Sequence, residues 1–525
     1  MARKGSVADL TTANPEFDVV VVGGGITGAG VAREAAGSGL RTLLVEQKDF
    51  AWGTSSRSSK MVHGGLRYLG SGKVRLTRES VSERQRLMRE APGLVDPLPF
   101  VMPHFRRTFP GPRLFQLLLR IYDRIAGIST RRYLSHRETL QWIPGLTPRA
   151  LSGASVFTDG VTDDARLVLR VLEESRRDGA VCLNYTKAEA LLRHNNRVNG
   201  VELVDAEDGH RVTVRTPLVI NATGAWARGL QQQAGSAQPL QIRPLRGSHL
   251  VIPWSRLPVS CAVSLLHPDD GRPVFAFPWA GTTVLGTTDI DHQGNLDCEP
   301  AITQEETRYL LEIGTRLFPS SHLDRNDIVS TWAGVRPVVT DGSGKSASRE
   351  SREHVVREDP GLVSIAGGKL TTFRRIAREA LELGLGERRR HLLRPDSRPV
   401  FTPLPPVPRH VGLPFLTWQR LQGWYGNNAK ALVEEAGLSS IAGTDVLWGE
   451  LGWACRHEQV VHLDDLMLRR TRLGLVLPDG ALTLLPEIRR YCQPLLGWSD
   501  QQWEQEEKRY TRLHQQAYRL PAGGA

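Results

Sequence analysis

Three glycines and a glutamate offer the clearest chemistry in this sequence. Gly23-Gly24-Gly25-Ile26-Thr27-Gly28 supplies a GxGxxG turn between an apolar run, Asp18 to Val22, and a helix-patterned run, Ile26 to Ala36. Glycines at Gly23, Gly25 and Gly28 permit a tight turn and let a pyrophosphate approach the N-terminus of the helix that follows. Glu46 closes the next strand-like run, Arg41 to Val45, where a carboxylate accepts hydrogen bonds from an adenosine ribose and repels the extra phosphate of NADP. A glycine-rich turn with an unrelated surface glutamate is the bland alternative, and the strand-turn-helix-strand context argues against it. The motif alone does not separate FAD from NAD.

Two further turns are built for close approach. Val219-Ile220-Asn221-Ala222-Thr223-Gly224 is a strand entering small residues, which lets backbone pass beside a cofactor at Gly224. Ser364-Ile365-Ala366 enters Gly367-Gly368-Lys369, and an amphipathic helix is expected from Leu370 to Leu383. A helix N-terminus with Lys369 beside it would place positive potential next to an anion such as the N1/C2=O region of a reduced flavin; the plainer reading is a solvated lysine after a turn.

The next motifs carry a resemblance. Gly53-Thr54-Ser55-Ser56-Arg57-Ser58-Ser59-Lys60 and His63-Gly64-Gly65-Leu66-Arg67-Tyr68-Leu69 resemble the flavin and substrate region of the bacterial aerobic, FAD-dependent glycerol-3-phosphate dehydrogenase family. The match continues through Asp163-Asp164-Ala165-Arg166-Leu167, Arg246-Gly247-Ser248-His249, Gly286-Thr287-Thr288-Asp289, Gly334-Val335-Arg336-Pro337 and Gly367-Gly368-Lys369-Leu370-Thr371-Thr372. Leu463 to Arg472 looks like the helical domain of the same family. The resemblance implies an α/β fold: an FAD-binding Rossmann-like domain of the glycine/D-amino-acid-oxidase type, an interleaved antiparallel-sheet substrate domain and a C-terminal α-helical domain. It implies bound FAD contacted by Thr54, Ser55, Ser59, Lys60, Gly224, Gly368, Leu370 and Thr371, besides the glycine turn. It also implies a substrate pocket holding Arg67, Tyr68, Arg336, Lys369 and His249, and electron delivery to a respiratory quinone.

The side-chain chemistry agrees. Oxidising a secondary alcohol by hydride transfer to flavin N5 requires a base for the hydroxyl proton and a cation for the developing alkoxide. A phosphate dianion requires more cations, and arginine's planar fork suits it better than the compact lysine charge. His249 is the candidate base, with an orienting or structural histidine as alternatives, and Arg336 and Lys369 are the candidate catalytic cations. His63 and His104 are weaker candidates, and no covalent flavin link through His63 is expected. Asp289 either binds substrate or caps the turn after Thr287-Thr288; capping is preferred.

These residues need elements to hold them. A chain of 525 residues has room for two or three domains. Residues 1–16 form a polar N-terminal tail, 17–389 the oxidoreductase domain with its two parts interleaved, 390–412 a Pro-rich linker and 413–525 a helical domain. Strands are expected at Thr213 to Ile220, His249 to Ile252, Thr283 to Leu285 and Leu362 to Ile365. Helices are expected at Asp164 to Asp178, Ala429 to Ala436 and Asp464 to Arg472.

Lysine and arginine total 67 against 56 for aspartate and glutamate, a net charge of +11 that favours anionic partners. The basic residues are scattered and no RNA-binding module is present, so nucleic acid is not an expected partner. Five dispersed cysteines without CxxC indicate neither zinc nor a disulfide framework. No metal is expected. Phe105 to Arg124 interleaves arginines with large apolar residues, which suits a helix lying in an anionic membrane surface; a helix packed on the core with arginines outward is the alternative. With no signal peptide or spanning segment, the expected location is the cytoplasmic face of the membrane. A homodimer is compatible with the sequence. A glycerol-3-phosphate oxidase using oxygen shares every pocket motif and remains the nearest alternative, whereas an amine oxidase would need fewer cations.

Overall fold

The computed structural model describes residues 6–10, 15–70, 72–106, 109–340, 353–404 and 412–522. Four short apolar runs, Val19–Val22, Thr42–Val45, Val181–Leu183 and Val219–Asn221, lie buried on both faces, as parallel strands must. With Leu362–Ala366 and the antiparallel edge strand Val355–Asp359 they form a six-stranded sheet. From one edge to the other its order is 355–359, 362–366, 219–221, 19–22, 42–45, 181–183. Helices Ile26–Ala36, Asp164–Arg177 and Phe373–Arg389 pack together on one face around Ala29, Ala32, Leu167, Val171, Ile376 and Ala380. The antiparallel trio Thr186–His194, Arg197–Asp205 and Arg211–Arg215 packs its apolar side chains against the other face.

The second sheet has ten strands and is largely antiparallel, and it supplies the walls of the substrate region. Its centre for function is the long pair Ile242–Pro253 and Ser330–Val339, which aligns His249 with Trp332 and Leu245 with Arg336. Helices from Phe415 to Ala517 form the C-terminal part.

Several expected elements differ in detail. The strand expected over Thr213 to Ile220 is two strands in different sheets, because Pro217 in the intervening 216–218 turn cannot continue a ladder. The helix expected from Leu370 begins with one 3₁₀ turn, Leu370–Thr372, before Phe373–Arg389. Asp465–Arg470 is a π-helix, and Arg472 beyond it has a left-handed backbone, φ 62°. That irregularity turns Arg469, Arg470 and Arg472 all inward.

The described part of the Pro-rich segment is no free spacer. Val400 and Phe401 are buried in the core behind the six-stranded sheet, Arg33 donates to the Val400 carbonyl at 2.7 Å, and Arg394 pairs with buried Glu34 at 2.7 Å. Residues 405–411 lie outside the described residues. In the expected N-terminal tail, Val7 is likewise buried and Leu10 packs beneath the three-stranded sheet.

Candidate active site

The parallel strands 19–22, 42–45, 219–221 and 362–366 all end along one edge of the six-stranded sheet, which is where open α/β sheets bind ligands. A cavity follows this edge. It is lined by Gly23, Gly25, Glu46, Thr54, Ser55, Ala222 to Gly224, Gly367, Gly368, Lys369 and Leu370. Gly28 does not face it but closes the turn beneath: a Cβ there would fall 1.8 Å from the Gly23 carbonyl oxygen. Glu46 accepts the Gly24 N–H at 2.7 Å and the Lys48 N–H at 3.0 Å, and burial pushes its carboxyl up despite those bonds. Ser55 Oγ accepts the Ile26 N–H at 3.0 Å, tying the 53–59 loop to the start of the first helix. A groove with glycines at a helix N-terminus, a ribose-height carboxylate at one end and backbone turns along its length fits an extended dinucleotide.

Lys369 lines the cavity, and Arg336 adjoins the lining residue Pro337. Lys369 Nζ sits 3.7 Å from the centre of the Tyr68 ring and donates to Ser80 Oγ at 3.0 Å. His249 is buried; its Nε2 meets Ser59 Oγ at 2.9 Å and its ring stacks on Trp332 at 4.9 Å between centroids. Burial first, and then the charges of Arg336 and Lys60, hold His249 well below the usual histidine range, so it is neutral at physiological pH. Arg336 Nη1 donates to Asp289 at 2.9 Å, and Pro337 beside it lines the cavity.

The model of FAD-dependent oxidoreductases matches residues 18–383, and the model for the C-terminal domain of alpha-glycerophosphate oxidase matches residues 366–503. The aerobic glycerol-3-phosphate dehydrogenase of Staphylococcus epidermidis is 40% identical over 374 residues, 70% of this chain and 67% of that one. Its Staphylococcus aureus counterpart is 38% identical over 376 residues, with the same shares covered. The chain belongs to the aerobic glycerol-3-phosphate dehydrogenase family of FAD-dependent oxidoreductases. Among solved structures, a glycerol-3-phosphate dehydrogenase from Bacillus halodurans complexed with FAD superposes with a TM-score of 0.75 at 27% identity, over 95% of both chains. A glycine oxidase from Geobacillus kaustophilus shares the fold at a TM-score of 0.54 and 21% identity, over 71% of this chain and 95% of that one.

In this member of the dehydrogenase family, Tyr68 and Lys369 stand together, and His249 stands with Ser59. Arg67 falls in the short helix Leu66–Gly70, and its side chain lies outside the described residues. Lys60, expected at the cofactor, does not line the cavity. Its amine is buried, bonded to Asp164 at 2.6 Å and to the Ser56 carbonyl at 2.7 Å, and burial and Arg472 bring it down to about 8. Thr371 Oγ1 donates to the His63 carbonyl at 3.2 Å, joining the 367–372 turn to the His63-Gly64-Gly65 turn. Asp289, read as a turn cap or a substrate ligand with capping preferred, pairs with Arg336 at 2.9 Å. Ser80 and Trp332 were missed: each acts on a residue far away in sequence, and nothing local in the chain marks that.

Proposed function

We propose that this protein oxidises sn-glycerol 3-phosphate to dihydroxyacetone phosphate and passes the electrons to a membrane quinone. The observation that carries the reading is a dinucleotide groove lined by Lys369, which stands over Tyr68, and by Pro337, the neighbour of an Arg336 whose charge acts on neutral His249. Bound FAD supplies the two-electron acceptor. Lys369 takes the phosphate as a charge anchor, and Arg336 faces the oxygen that gains negative charge as the hydroxyl proton leaves. That proton goes to His249 by way of the half-buried Ser59 hydroxyl, which touches Nε2.

The quinone partner agrees with one surface. Helix Pro112–Ala126 buries Phe115, Leu119 and Tyr122, and it leaves Leu114, Leu117 and Ile121 exposed in a stripe beside exposed Arg113, Arg120 and Arg124. An apolar stripe flanked by arginines suits the headgroup layer of an anionic membrane, with the protein held peripherally on its cytoplasmic face. No helix among the described residues is long and apolar enough to cross a membrane.

The test is spectroscopic. Glycerol 3-phosphate is expected to bleach the flavin absorbance of the purified holoenzyme without oxygen, and a soluble quinone is expected to restore it. Bleaching by glycine or sarcosine and not by glycerol 3-phosphate would overturn the substrate, and faster restoration by oxygen than by quinone would make the protein an oxidase.

A further inference from the structure

Two contacts of Arg336 fall on one turn. Its Nη1 donates to Asp289 Oδ1 at 2.9 Å and its Nη2 to Thr287 Oγ1 at 3.2 Å, so one edge of the planar guanidinium lies against the turn after strand Thr282–Gly286. Gly247 on the neighbouring strand makes the room: a Cβ there would stand 2.6 Å from Arg336 Nη2 and 2.6 Å from Thr287 Oγ1. The turn is itself anchored from behind. Buried Glu306 accepts from Thr288 Oγ1 at 2.6 Å and Ser248 Oγ at 2.8 Å, and pairs with Arg246 at 2.8 Å, while Thr288 Oγ1 accepts the Ser248 N–H at 2.9 Å.

A carboxylate in this place works against anion binding. Asp289 is 7% exposed, in a setting where charge is poorly screened, so it repels any phosphate or alkoxide held by Arg336. A pocket shaped for affinity alone would have no acid there. What the acid supplies is direction, since acceptors at Asp289 and Thr287 fix the plane in which the guanidinium lies. The geometry points to Asp289 as a positioning residue that aims Arg336 at the reacting oxygen, at some expense in ground-state affinity. This rests on the role proposed above for Arg336.

The consequence is a split between kinetic constants. In Asp289→Asn the repulsion is removed and the aim is loosened, so kcat falls while KM for glycerol 3-phosphate stays level or drops. Lost packing alone would give no such pattern.

The experiment is dye-coupled kinetics, with FAD content measured alongside, on Asp289→Asn, Arg336→Lys and the double variant. Asp289→Asn is expected to lower kcat roughly tenfold at parental FAD content without raising KM. In the Arg336→Lys background the same change should alter kcat by less than about twofold, because no guanidinium is left to aim. An equal fall in both backgrounds, a raised KM at parental kcat, or loss of FAD would overturn the positioning role. Parental activity in Arg336→Lys alone would overturn the role of Arg336 itself, and the inference with it. Should Asp289→Asn not fold, Thr287→Val removes the contact to Arg336 Nη2; it is expected to lower kcat in the same manner, and unchanged kcat there would count against the proposal.

Discussion

A guanidinium facing an oxygen that gains charge only as the reaction proceeds does most of its work in the transition state. In the role proposed for it, Arg336→Leu removes the charge and would leave that oxygen facing an apolar side chain. The expected cost is at least about 3 kcal/mol, or more than about 100-fold in kcat/KM, with FAD still bound. Steady-state kinetics at matched flavin content checks this, and near-parental kcat/KM would remove Arg336 from the chemistry. At this scale the sequence was legible where a residue acts through its own backbone or through a short motif: Gly23, Gly25 and Glu46 line the groove as their spacing implies. It was opaque where a side chain serves a distant partner. Lys60 beside Asp164, Lys369 beside Ser80 and Asp289 beside Arg336 are pairings between residues 104, 289 and 47 positions apart, made only when two sheets and a helix meet.

Among elements, the helix Pro112–Ala126 leaves Leu114, Leu117 and Ile121 exposed on its outer face. On its inner face the Tyr122 hydroxyl donates to Asp159 at 2.7 Å, and Asp159 accepts the Gly64 N–H at 3.2 Å. Replacing Arg113, Arg120 and Arg124 with Gln leaves that inner contact intact. Sedimentation with anionic vesicles should then fall severalfold, and dye reduction by glycerol 3-phosphate should not. In the parent protein, binding should weaken as salt shortens the screening length. Vesicle binding that is unchanged in the triple variant would place the membrane contact elsewhere. The amphipathic period of this helix was readable in the chain, as was the βαβ start. The π-helix at Asp465–Arg470 was not, because an inserted residue leaves the local composition of a helix unchanged.

Across the whole molecule, buried charge joins the helical part to the flavin part. Asp49 takes Arg469 at 2.5 Å and Arg470 at 2.7 Å; burial would raise its carboxyl, but those two arginines outweigh it and hold it well below the usual range. Arg472 pairs with Asp163 at 2.9 Å and Asp164 at 2.5 Å. His462 lies between Glu207 and Glu506, and although its burial acts downward, the two carboxylates raise it to about 10. A histidine raised on folding contributes stability that is complete below its unfolded value near 6.5 and is lost as pH rises towards about 10. The parent should therefore lose melting temperature between pH 6.5 and 10, and His462→Gln should show a shallower loss over that window. Parallel curves in differential scanning calorimetry would refute the assignment. The family's domain order was legible in the motifs. The depth of this seam was not, since the sequence reads Asp464 to Arg472 as one more helix.

Those arginines bear on what happens to a severed chain. Arg469, Arg470 and Arg472 each pair across the seam with an aspartate of the flavin part. A flavin half expressed alone would leave Asp49 and Asp163 without these arginines, whereas Asp164 would keep Lys60. The two halves, cut between 404 and 412 and made together, should instead find each other and assemble into a yellow, active pair without a covalent join. Tight complementation of a split enzyme at this point, and insolubility of either fragment alone, is what the seam requires.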